Sequence, residues 1–254
     1  MGYDKFTGII SKETNAGDAD RYLTILTMER GKVECYAKGI RNQKSKLASS
    51  SGLFCYGEYQ LFKKSNRYIL TSANLIKNFY NIRNDIIRLT YAVHFLELSG
   101  DIILDGQPFP EAVKMLLNSL FMLGYTEKNP ELISRVFEMR ILSMSGFSPI
   151  LDKCTACGKE IPNGEHSLRM QFSNSGFGVV CGSNECKKSD KRAHTLSMGA
   201  LHALRHIVES DAKNVFNFSV SENVQRELSE IIPAYLRHNM DKDYTKLKYL
   251  NNLR

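Results

Sequence analysis

Lys32-Val33-Glu34-Cys35-Tyr36-Ala37-Lys38 alternates without a break: Val33, Cys35 and Ala37 fall on one side of an extended chain, Lys32, Glu34, Tyr36 and Lys38 on the other. A period of two marks a half-buried strand, because successive side chains of an extended chain point to opposite faces. The first set is small and apolar and reads as core. The second puts an aromatic ring beside cations and reads as an exposed working face. Outward from this stretch the same period recurs over residues 5–14, 20–28, 53–62 and 67–75, so five strands are expected. Glu29-Arg-Gly-Lys32 and Lys64-Ser-Asn-Arg67 supply tight hairpins, while the polar, basic stretch from Gly39 to Gly52 joins the third strand to the fourth. Five strands with a long connection after the third outline an OB-type barrel over residues 1–80.

After Asn78 the apolar period changes to 3.6, which predicts helices over 82–104, 109–123, 130–146, 197–210 and 221–240, with a shorter one over 244–252. Pro130 after Asn129 suits a first turn, Ser221 an N-cap, and Gly124 and Gly146 helix exits. Residues 81–254 thus read as one helical domain, interrupted over 151–193. The fold class expected is α+β and multi-domain: an N-terminal OB-type barrel followed by a helical bundle with an inserted four-cysteine zinc knuckle.

That insertion carries Cys154-Thr-Ala-Cys157 and Cys181-Gly-Ser-Asn-Glu-Cys186. Two and four residues within the pairs put two thiolates on each tight turn, and four thiolates make a closed tetrahedral site for one structural Zn2+ per chain. No open ligand position or neighbouring base suggests a catalytic ion. His166 and His194 flank the knuckle and could each replace one thiol. Pro162-Asn-Gly164 and Gly176-Phe-Gly178 suit hairpins within it. Cys35 and Cys55 stand singly in apolar runs and read as small core residues.

The net charge is +7, and residues 1–80 hold 13 Lys and Arg against 7 Asp and Glu, nearly all of the excess. Between residues 38 and 67, Lys38, Arg41, Lys44, Lys46, Lys63, Lys64 and Arg67 face the single acid Glu58. Such a cluster favours a polyanion. These cations with Lys32 are the expected phosphate contacts, and Tyr36 is expected to stack on a base, worth about 1–3 kcal/mol. Tyr22, Phe54 and Tyr56 could join it.

Other classes lack their signatures. Met1 to Phe6 has no apolar core of a signal peptide, and the apolar stretch 86–104 contains Arg88, His94, Glu97 and Asp101, too polar to span a membrane; a cytoplasmic protein is expected. No P-loop, dinucleotide turn, His-Glu-x-x-His, Gly-x-Ser-x-Gly or zinc-deaminase pattern occurs, so no enzyme is expected. His202 and His206 lie one turn apart without a third ligand nearby and read as partly buried histidines. An RNA-binding or ribosome-associated zinc protein is the alternative that composition leaves open.

Gly8-Ile-Ile10, Asp20-Arg-Tyr-Leu-Thr-Ile-Leu-Thr27, Gly31-Lys-Val33 and Ala37-Lys-Gly-Ile-Arg41 followed by Lys44-Ser-Lys46 resemble the RecO family of bacterial recombination mediators, as does Phe172-Ser-Asn-Ser-Gly176 ahead of Cys181. Family members usually have two residues within the second cysteine pair, where this chain has four. The resemblance implies DNA repair and recombination without catalysis. It implies binding of single- and double-stranded DNA, annealing of complementary strands and, with RecR, assistance to RecA in replacing single-strand DNA-binding protein. It implies a nucleoid-associated location and a groove in the helical part for that protein's acidic C-terminal tail. Lys38, Arg41, Lys44 and Lys46 match the family's basic segment, and Lys187, Lys188, Lys191 and Arg192 either extend its track or balance the thiolates.

Overall fold

The computed structural model describes residues 2–42, 44–161, 170–188 and 190–252. Its contacts group into two compact units, Met1–Glu127 and Lys128–Arg254.

In the first unit β1 (Tyr3–Ala16), β2 (Asp20–Thr27), β3 (Gly31–Ala37), β4 (Cys55–Lys64) and β5 (Arg67–Asn78) close into a barrel in the order β1-β2-β3-β5-β4. The β3–β5 pair is parallel and the other four are antiparallel, as expected of an OB barrel. Alternation decides the interior: Ile10, Leu23, Ile25, Val33, Cys35, Tyr59, Leu61 and Leu70 fill it, and Cys55 joins them. The connection from β3 to β4 is pinned by Ile40, buried in the same core, and by Leu47, packed against it. Phe54, expected beside Tyr36, is instead fully buried, with a left-handed φ of 71° that turns its ring inward just before β4.

The barrel continues through a 3-10 helix (Tyr80–Asn84) into α1 (Ile86–Ile102) and α2 (Pro110–Tyr125). The first helix starts later than the apolar period suggests because Asp85 caps it, accepting from the amides of Ile87 and Arg88. Gly31, at the β2–β3 turn, has φ +71°, and a Cβ there would lie 2.3 Å from the carbonyl oxygens of both Leu104 and Gln107. Only glycine allows this approach, and through it the loop after α1 seats on the barrel: the Lys32 amide donates to Leu104 O at 3.1 Å.

The second unit holds α3 (Pro130–Met144), β6 (Met170–Ser173), β7 (Gly178–Val180), α4 (Asn184–Lys187), β8 (His194–Leu196), α5 (Met198–Glu209) and α6 (Glu222–Met240). Asn129 caps α3 with Pro130 in its first turn, and Ser221 caps α6, both as the sequence suggests. α3 packs against α5 and α6, so helices on either side of the knuckle do meet. Residues 245–252 form a 3-10 helix rather than the short α-helix expected. Gly176-Phe-Gly178 does lie in the β6–β7 hairpin; Pro162-Asn-Gly164 and His166 lie outside the described residues. No helix among the described residues is long and apolar enough to cross a membrane.

Candidate metal centre and nucleic-acid interface

The four cysteines converge. The first pair sits on a turn closed by Cys154 N to Lys159 O at 2.8 Å and Gly158 N to Cys154 O at 2.9 Å, with Gly158 at φ +73°. The second pair uses its four-residue interval as a helix turn: Ser183 caps α4, its Oγ accepting from Cys186 N at 3.3 Å, and the turn carries Cys186 back toward Cys181. The longer spacing therefore costs no geometry. Among the described residues these four Sγ atoms all lie within 4.8 Å of one another. Cys157 and Cys181 Sγ are 3.8 Å apart, the edge of a tetrahedron whose metal–sulfur bonds are about 2.3 Å. The residues present thus fit a metal. His194 stands on β8 opposite Phe172 and belongs to no such group.

Local hydrogen bonds favour thiolates. Burial opposes ionisation of Cys154, but the amides of Cys181, Cys157 and Ala156 outweigh it and lower its pKa. The Ser183 hydroxyl and amide bring Cys181 down to about 6. Cys186 also gains from the Ser183 hydroxyl, yet hydrogen bonds with Cys157 and Cys181 hold its proton and push it up to about 12. Four crowded thiolates cannot all ionise until a cation joins them. The surrounding sheet is braced by Asp190, which accepts from Ser173 Oγ at 2.6 Å and Ser175 Oγ at 3.0 Å, the former chiefly holding its carboxyl below the usual range.

On the barrel a cleft of about 610 Å3 is lined by Tyr22, Tyr36, Ile69, Lys64, Ser65, Asn66 and Arg67. The two tyrosines are cross-strand partners with ring centroids 5.4 Å apart, tilted by 55°. Ser65, at φ 53°, closes the β4–β5 hairpin in two residues and sets Lys64 opposite Arg67 along the cleft's wall. Asp20 fixes the floor: its carboxylate accepts from the Tyr36 hydroxyl and, at 2.6 Å, from the amide of Gly39, where the basic connection begins. The Gly39 amide first, and the Tyr36 hydroxyl second, hold its carboxyl below the usual range.

Of the nine residues expected to touch nucleic acid, Tyr36, Lys64 and Arg67 line this cleft. Lys38, Lys44 and Lys46 stand exposed on or beside the β3–β4 connection. Arg41 ties that connection to the β1–β2 turn, its amide donating to Ala19 O at 2.9 Å and its guanidinium to Gly17 O at 3.3 Å. Lys63 lies 5.9 Å from the Tyr68 ring centroid, and Lys32 donates to Gly100 O at 3.1 Å, near the end of α1. Asp20, which reading residue by residue missed, shows itself only as an acid opening β2 two positions from Tyr22. Tyr56 is half-buried, His202 exposed and His206 half-buried against Phe218.

A family model described as recombination protein O N terminal matches residues 1–79, and one described as recombination protein O C terminal matches residues 83–248. The DNA repair protein RecO of Acetivibrio thermocellus is 41% identical over 253 residues, covering 100% of this chain and 98% of that protein. Those of Symbiobacterium thermophilum and Dehalococcoides mccartyi are each 30% identical, over 97% and 98% of this chain and 96% and 95% of their own lengths.

Proposed function

The chain belongs to the RecO family, and from that premise we propose that this DNA repair and recombination protein acts by binding: it grips single- and double-stranded DNA, brings complementary strands together and, with RecR, helps RecA displace single-strand DNA-binding protein. The observation that carries the reading is the tyrosine-floored cleft of the barrel, rimmed by Lys64 and Arg67. Flat rings accept any base, and cations beside them neutralise phosphates and release counterions, so a strand is held without regard to sequence. Annealing needs two polyanions kept close. The exposed Lys38, Lys44 and Lys46 give the same unit further positive surface for a second strand or a duplex.

Zn2+ is the metal we assign to Cys154, Cys157, Cys181 and Cys186, which would cross-link the short strands and single-turn helix of an insertion too small to hold itself by a core. The reading includes no catalytic step. It places the protein in the cytoplasm with the nucleoid, and gives the acidic tail of single-strand DNA-binding protein a docking site in the helical part.

The test is a titration of labelled single-stranded DNA, and of RNA of the same sequence, at two salt concentrations, followed by mixing complementary oligonucleotides without ATP. The wild type should bind DNA, weaken steeply with salt and accelerate annealing. Replacing Lys64 and Arg67 together by Glu should weaken binding and reduce the salt slope by about two. Strong preference for RNA with no annealing would sink the proposal.

A further inference from the structure

Tyr36 is only the middle of a longer feature. In the barrel's register Tyr22 on β2 pairs with Tyr36 on β3, Tyr36 with Ile69 on β5, Ile69 with Phe62 on β4, and Phe62 with Tyr3 on β1. Tyr22, Tyr36, Phe62 and Ile69 point outward, since their chain neighbours Leu23, Cys35, Ala37, Leu61 and Leu70 are core, and Tyr3 does so by alternation with the core residue Phe6, three positions on in β1. Tyr22 and Tyr3 are 47% and 63% exposed, and the three between them half-buried. Ring centroids of Tyr3 and Phe62 are 5.2 Å apart, close to the 5.4 Å of Tyr22 and Tyr36. On its other side Tyr22 pairs with Thr14 of β1, eleven residues from Tyr3. A register so staggered makes the row climb along the barrel instead of circling it.

An outward face normally takes the polar half of the alternation, and single apolar residues there need no explanation. Five in register do. A closed barrel offers no strand edge for an added peptide strand. Cations stand two residues along the same face on both flanks, Lys64 and Arg67 on one and Lys38 and Lys5 on the other; Lys5 is paired with Glu58 at 2.9 Å, and Glu34 and Asp20 take the corresponding positions beside Tyr36 and Tyr22. Flat apolar groups with Lys64 and Arg67 on one side and Lys38 on the other complement a chain of bases on a phosphate backbone. Four strand intervals of about 4.8 Å make a track of roughly 19 Å, enough for on the order of four bases.

We propose that single-stranded nucleic acid crosses the barrel along this row, perpendicular to the strands, and that Tyr3 and Phe62 extend the base-stacking track beyond the cleft. The inference rests on the nucleic-acid reading above and adds the path and its far end. The chain contains no tryptophan, so Phe62→Trp in the full-length protein is a sole indole reporter. Its fluorescence should be quenched by an oligothymidylate of five or more nucleotides and far less by a dinucleotide, which fills only the cleft. Tyr3→Ala should lower affinity for the longer oligomer roughly five- to tenfold and leave dinucleotide and duplex affinity unchanged, while Tyr3→Phe, which keeps the ring, binds as wild type. An unquenched indole, with Tyr3→Ala equal to wild type but Tyr36→Ala weakened, overturns the path and leaves the DNA-binding reading standing. Failure of the wild type to bind either oligomer overturns both.

Discussion

Asp20 joins the barrel's tyrosine-lined cleft to its basic connection, through the Tyr36 hydroxyl on one oxygen and the Gly39 amide on the other. Because these donors hold its folded pKa below the ordinary carboxylate value, its contribution is complete above about pH 4, where the unfolded carboxyl titrates, and is lost as pH falls through the folded value. Gly39 amide exchange, corrected for intrinsic pH dependence, should therefore stay slow from neutral pH to about pH 4 and quicken below it. Asp20→Ala should quicken it from neutral pH down to about pH 4, converge with the wild type at lower pH, and weaken single-strand binding. Gly31 is the opposite kind of residue, required for what it lacks. Gly31→Ala adds a Cβ 2.3 Å from two carbonyl oxygens at a left-handed φ, and the midpoint of urea unfolding should fall by an amount equivalent to more than about 1 kcal/mol. Neither role is visible in the bare sequence, where Asp20 is one of several acids and Gly31 one of many turn glycines. Their partners, Gly39 and Leu104, are brought up by tertiary closure.

Among the elements, the cysteine knuckle was legible as a ligand set, but its second spacing was not. Two thiolates with four residues between them look loosely placed until Ser183 is seen to cap a single helical turn that returns Cys186 to the group. Cys181→Ser should abolish binding of one metal ion per chain, measured by elemental analysis, and lower the melting temperature. It should leave binding to the cleft nearly unchanged, because every residue lining the cleft belongs to the other unit. The strands were equally legible, through alternation, and Phe54 is the instructive exception. Period-two reading assumes an extended backbone, and a left-handed φ of 71° at the residue before β4 breaks the phase and buries the ring. The elements also take up charge. Lys32, Arg88, Arg140 and Lys128 donate to main-chain carbonyls at Gly100, Thr126, Ile207 and Phe218, so net charge overstates the cations free to meet phosphates.

At the scale of the whole molecule the family models divide the chain near residue 80, whereas its contacts group α1 and α2 with the barrel through Glu127. Gly31 and Lys32 explain why, since both are seated against residues 100–107. A fragment of residues 1–127 should unfold cooperatively in urea and keep single-strand binding, and one ending at residue 80 should unfold at a lower concentration. What the sequence by itself determined is local: strands from a period of two, helices from 3.6, caps at Asn129 and Ser221, a thiolate set from two close pairs, and the family from its basic segment. Which side chains work together was decided only by the tertiary structure. Pairing register depends on distant strands and on irregularities such as those between Ile10 and Lys12 and between Gln60 and Leu61, and a slip of one residue would turn every outward ring into the core. Local alternation can say that Tyr22, Tyr36, Phe62 and Tyr3 share a kind of face. Only closure of the barrel sets them in one row.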